Sequence, residues 1–153
     1  MKVRIEPTDG TTEDEVIIRC RHAESETVQR IYRYALEQAE AGASLTFYKE
    51  NREYYFPLEN VLFFETEGEH IYAHTADDAF LIKYRLYELE RMLPQFFVRA
   101  SKSTIVNVRK VFSVTRSLTS SSLVQFTESH KQVYVSRYYY RDLRQKLQER
   151  SLL

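Results

Sequence analysis

Phe96-Phe97-Val98-Arg99-Ala100-Ser101-Lys102-Ser103-Thr104-Ile105-Val106-Asn107-Val108-Arg109-Lys110 is two apolar runs separated by small hydroxyl-bearing and cationic residues. Phe, Val, Ile and Thr suit the pleated, half-buried surface of a strand. The stretch therefore predicts strands over 97–99 and 105–107, with a loop between them that presents Ser101, Lys102 and Ser103 outward. The same texture extends in both directions. From Ser44 onward, short apolar runs are broken every several residues by polar turns, predicting further strands over 45–48, 53–56, 61–65, 71–75, 80–84, 111–115, 123–127 and 132–136. Two short helices interrupt them. One, over 85–93, puts Leu86, Leu89 and Leu93 on one face and is stopped by Pro94, which lacks the N–H to continue the ladder. The other, over 138–149, aligns Tyr140, Leu143 and Leu147 and leaves Arg141, Arg144, Lys146 and Arg150 for solvent or a ligand.

The first 43 residues read differently. A strand-like run over 15–20 precedes a helical pattern in which Val28, Ile31, Tyr32 and Ala35 recur at i, i+3, i+4 and i+7. Ser25 stands ahead of it as an N-cap and Gly42 past it as a stop. The expected organisation is thus a strand–helix extension over 1–43, for dimerisation or partner contact, and an α+β, mainly antiparallel domain over 44–153. An extension that merely covers a sheet is the plainer alternative.

A chain of 153 residues with 43% apolar and 29% charged residues can bury a core of its own. The lone cysteine, Cys20, cannot form an internal disulfide, and no charged-then-apolar leader opens the sequence, so a cytoplasmic location is expected. No apolar run is long enough to span a bilayer. Gly10, Gly42 and Gly68 are the three glycines, each alone, which excludes phosphate loops and dinucleotide fingerprints that need clustered glycines.

Catalysis is hard to assemble. His70 and His74 have a chelating spacing only on a helix; on a strand their rings lie roughly 13 Å apart, too far to share a zinc ion. H-E-x-x-H, C-x-x-C and G-x-S-x-G are all absent, and Asp77-Asp78 reads as a turn. No catalytic residue, metal or cofactor is expected. Charge carries more information. Residues 1–94 hold 11 Lys/Arg against 19 Asp/Glu, and residues 95–153 hold 11 against 3, so two halves of opposite sign cancel to a net charge of +0. A phosphate-binding surface gathers cations in this way, though two halves that pair with each other would read the same. Ser136-Arg137 stands at a strand-to-helix junction, where hydroxyl, cation and free N–H groups can hold a phosphate. The plainer reading makes Ser136 an N-cap and Arg137 a solvated charge.

Five blocks have a recognisable order: Val61-Leu62-Phe63-Phe64-Glu65, then Ile71-Tyr72-Ala73-His74-Thr75, a short helix with Leu89 and Leu93, the stretch from Phe97 to Asn107, and Val135-Ser136-Arg137-Tyr138. Together they closely resemble the LytTR-type DNA-binding domain of bacterial transcription regulators, over residues 44–147. The resemblance implies an elongated β-rich fold that is not a helix-turn-helix. It also implies a homodimer on paired sites in double-stranded DNA, with loops entering successive major grooves. Carried over by residue, it places DNA contacts at 67–70, with His70 favoured because Glu67 and Glu69 would be repelled by phosphate. Further contacts fall at Ser101, Lys102 and Ser103, and at Arg137, Tyr138 and Arg141. Arg99 and Asn107 match as supporting residues. The family often carries His-Arg-Ser or His-Asn-Ser where this chain has Ser101-Lys102-Ser103. Lysine offers a point charge in place of a guanidinium fork, so the target sequence is not inherited. Members usually stand behind a receiver domain or beneath membrane spans. This sequence resembles a stand-alone member, for which a small membrane protein is the expected regulatory partner. The competing readings are a protein–protein module and, more weakly, a binder of single-stranded RNA.

Overall fold

The computed structural model describes residues 1–2, 4–7, 15–40 and 45–150, and the chain separates into two units, Met1–Glu40 and Ala41–Leu153. In the first unit, α1 spans Glu26–Glu40. Ser25 starts it as expected, its Oγ accepting the Val28 N–H at 3.3 Å, and an Arg30–Glu26 pair at 2.9 Å braces the first turn. The strand predicted over 15–20 is not formed: these residues are mostly exposed and pair with no strand among the described residues. A strand-like apolar run becomes a strand only where a neighbour takes up its N–H and C=O groups. Gly42, the predicted stop, lies outside the described residues.

The second unit is built on two antiparallel sheets. The strands of the larger are β1 (Phe47–Lys49), β2 (Arg52–Tyr54), β3 (Phe63–Glu67), β4 (His70–His74), β5 (Ala79–Ile82), β6 (Phe97–Ser101) and β7 (Thr104–Asn107). They lie in the order β2-β1-β5-β4-β3-β7-β6. β8 (Val111–Thr115), β9 (Ser122–Phe126) and β10 (Gln132–Val135) form the second sheet in the order β10-β9-β8. Two helices complete the unit, α2 (Leu86–Met92) before β6 and α3 (Arg137–Glu149) after β10.

The core draws on both faces of the central strands. Phe64, Ala73, Phe97, Ile105 and Val106 are buried in the large sheet, and Leu86 and Leu89 are buried on α2. Phe47 stacks on Phe56 at 3.9 Å beside Phe80. The two sheets meet where Phe63 stacks on Phe126 at 5.4 Å. α3 has Leu143 fully buried, with Tyr139, Tyr140 and Leu147 packed against the same core. The architecture is the mainly antiparallel α+β fold expected from the sequence, with boundaries displaced by one or two residues.

Candidate nucleic-acid interface

Antiparallel pairing decides which turns share an end of the sheet. β3 runs against β7 with Glu65 opposite Thr104, and the Thr66 N–H donates to the Ser103 carbonyl at 2.9 Å. The β3–β4 turn and the β6–β7 turn therefore project from the same end. The Ser136 N–H donates to the Ala100 carbonyl at 2.9 Å, which docks the start of α3 beside β6 at that end as well. His70, Lys102 and Arg137, far apart in sequence, stand on three neighbouring segments.

Each segment is shaped by its own residues. Glu67 pairs with His70, leaving a two-residue turn in which Gly68 has φ +63°, the left-handed conformation such hairpins require. His70 is exposed and edge-on to Tyr72. In the β6–β7 hairpin the register shifts between Arg99 and Ser101, a bulge that leaves Ala100 free to accept from Ser136. Arg99 closes over the turn: Nε donates to the Ser101 carbonyl at 2.6 Å, a terminal nitrogen donates to the Lys102 carbonyl at 2.5 Å, and the other meets Glu90 on α2 at 3.0 Å. Ser101 Oγ accepts the Ser103 N–H at 3.1 Å and lies 3.2 Å from Ser103 Oγ. With the turn tied inward by these bonds, Lys102 and Ser103 face solvent.

Asn107 is fully buried. Its Nδ2 donates to the Val61 carbonyl at 2.9 Å and its Oδ1 accepts the Arg109 N–H at 3.0 Å, so it joins β7 to the chain ahead of β3. Arg137, Tyr138 and Arg141 are exposed on α3, Tyr138 at 83%. Arg144 continues the line from Arg137 and Arg141 at i, i+4 and i+7. Ser136 occupies the N-cap position, but its Oγ is buried and makes no capping bond. Ser136 therefore caps α3 by position and through its carbonyl, which accepts the Tyr139 N–H at 3.1 Å, and not through its side chain.

The opposing halves of charge pair in part. Arg99 meets Glu90 at 3.0 Å and Arg109 meets Glu59 at 3.3 Å, whereas Lys102, Arg137, Arg141 and Arg144 have no ion-pair partner among the described residues. Asp78 is held as a turn residue, its carboxylate 2.6 Å from Lys49 and accepting the Ala79 N–H at 2.8 Å, and both bonds lower its pKa. His70 and His74 share one face of β4, and no metal-binding group of residues occurs among those described. Burial pushes the pKa of His74 down, and the adjacent Lys131 adds to the effect.

The scaffold thus brings to one end of a β sheet, on turns and on the start of a helix, cations that have no ion-pair partner among the described residues. The chain belongs to the LytTr DNA-binding domain family, whose sequence pattern matches residues 51–148. It is 30% identical over 114 residues to an uncharacterized HTH-type transcriptional regulator of Staphylococcus aureus strain NCTC 8325, covering 74% of this chain and 76% of that protein. A similar regulator from strain MRSA252 is 36% identical over 73 residues, covering 48% of this chain and 50% of its own. Among solved structures, the LytTr DNA-binding domain of a methyl-accepting/DNA response regulator from Bacillus cereus superposes with a TM-score of 0.63 at 27% identity, covering 69% of this chain and 98% of that one. Nothing in residues 45–150 corresponds to the helix pair that the Staphylococcus names suggest, since α2 is followed by β6.

Proposed function

We propose that this protein is a sequence-specific regulator of transcription that binds double-stranded DNA and enters successive major grooves with turns. The observation that carries the reading is the pair of backbone bonds, Thr66 N–H to Ser103 and Ser136 N–H to Ala100, which set three segments bearing His70, Lys102 and Arg137 side by side. In this reading Lys102 and Arg137 meet phosphate and base edges. Ser101, Ser103 and Tyr138 add hydroxyl contacts, and Arg141 extends the phosphate track along α3. Arg99 and Asn107 hold the scaffold. The protein acts without catalysis or cofactor, in the cytoplasm, as a homodimer on paired sites. The extension over 1–43 offers the surface for the second copy or for a small membrane protein that regulates it. That assignment is favoured by the partial exposure of Ile31 at 37% and Tyr32 at 49% on the apolar stripe of α1. No described helix is long and apolar enough to cross a membrane.

Selection of bound duplexes from a random pool, followed by gel shift of Lys102→Ala and Arg137→Ala, tests the assignment. Both variants should bind the selected site more weakly, and loss of a base contact should cost about 1–3 kcal/mol of discrimination at one position. Wild-type affinity in the double variant would overturn the site. Retrieval of no duplex at all would favour the protein–protein reading.

A further inference from the structure

On the strand pair β3–β4, Phe63, Glu65 and Glu67 share a face with His74, Tyr72 and His70, their register partners. Glu67 is four residues beyond Phe63, the partner of His74, so its Cα is about 13 Å further along the hairpin. Its carboxylate nevertheless lies 3.5 Å from His74 Nε2, close enough for a ring N–H there to attract it though the geometry falls short of a hydrogen bond. The side chain is therefore folded back along the sheet, away from the Gly68-Glu69 tip.

His74 is fixed for this task. Its ring stacks on Phe63 at 4.3 Å and 11°, with its side chain only 14% exposed. Lys131, from the β9–β10 turn, sits 3.3 Å from Nδ1 and donates to the Asp78 carbonyl at 2.6 Å, while Ser129 of the same turn donates to the Ala76 carbonyl at 3.1 Å. An ammonium offers only hydrogens, so Nδ1 accepts and the ring proton resides on Nε2, facing Glu67.

We propose that His74 is a positioning residue for DNA binding: seated by Lys131, it draws the Glu67 carboxylate back from the tip of the first DNA-contacting turn, where that charge would repel phosphate. The inference rests on the function proposed above. It explains how the turn can approach a polyanion beside His70 although Glu67 enters it.

The test is a double-mutant cycle on duplex affinity. His74→Phe keeps a flat ring against Phe63 but removes both nitrogens, and should weaken binding about two- to fivefold, the size an exposed charge interaction carries. Glu67→Gln alone should bind as well as wild type or better, and the double variant should regain wild-type affinity. Lys131→Met, which unseats the ring from the other side, should show the same loss and the same rescue. Each deficit should shrink as salt is raised, which a packing defect would not do. A His74→Phe loss that Glu67→Gln fails to rescue, or no loss in either variant, overturns the inference while leaving the DNA-binding reading intact. Wild-type protein that binds no duplex removes both.

Discussion

Arg99 and Asn107 show how a polar residue inside a strand pattern resolves into a role. Both match the resemblance as supports, but a pattern of alternating residues does not say where a long side chain ends. Asn107 uses its amide on Val61 and Arg109, so Asn107→Ala leaves a buried carbonyl and N–H unsatisfied and should cost about 1–3 kcal/mol in chemical denaturation. The salt dependence of DNA binding should be unchanged. Arg99 spans the Ser101 and Lys102 carbonyls and Glu90 with one planar fork. Arg99→Lys keeps the charge and loses the fork, so it should loosen the turn and weaken specific binding more than nonspecific binding, measured by gel shift with and without competitor DNA. The stretch from Phe96 to Lys110 named the turn that presents Lys102. It carried no sign that Arg99 folds over that turn, because the partner Glu90 comes from an unrelated helix.

Elements were legible where hydrogen-bond partners are local and illegible where they are not. The hairpins of the large sheet follow directly from short apolar runs interrupted by Gly68 or by Ser101-Lys102-Ser103. Residues 15–20 carry a similar apolar run without forming a strand, because among the described residues no segment pairs with them. The clasp between sheets was equally invisible: His74 and Lys131 are 57 positions apart and meet only because the β9–β10 turn reaches the β4–β5 turn. That clasp makes stability depend on pH. Burial and Lys131 hold the folded-state pKa of His74 below its ordinary value of 6.5. As pH falls through about 6.5 the unfolded chain therefore binds the proton first, and stability declines. The contribution is constant above that value and is lost progressively below it, against the countervailing pull of Glu67. Urea titrations at pH 7.5 and 5.5 should show a smaller pH-dependent loss in His74→Phe than in wild type, and equal losses would contradict the assignment.

At the scale of the whole molecule, the division of charge is the feature on which function turns. Positive charge concentrated in residues 95–153 is paired internally only in part. Arg99, Arg109 and Lys131 are engaged with groups from the acidic half. Lys102, Arg137, Arg141 and Arg144 have no carboxylate partner among the described residues, so bringing phosphate to them breaks no ion pair seen there. Binding should then be driven by release of counterions from DNA, with log K falling about 0.9 per phosphate neutralised for each unit rise in log salt. If about six phosphates are neutralised for each bound unit, the slope is near −5. Arg144→Ala, remote from the turns but on the line of Arg137 and Arg141, should make the slope shallower by about one and weaken all sequences alike. Lys102→Ala should instead change which sequences are preferred wherever the ammonium meets a base edge. Fluorescence titrations of the selected duplex and a scrambled one across a salt series separate these outcomes, and a slope near zero for the wild-type protein would mean that the unpaired cations do not face the phosphate backbone.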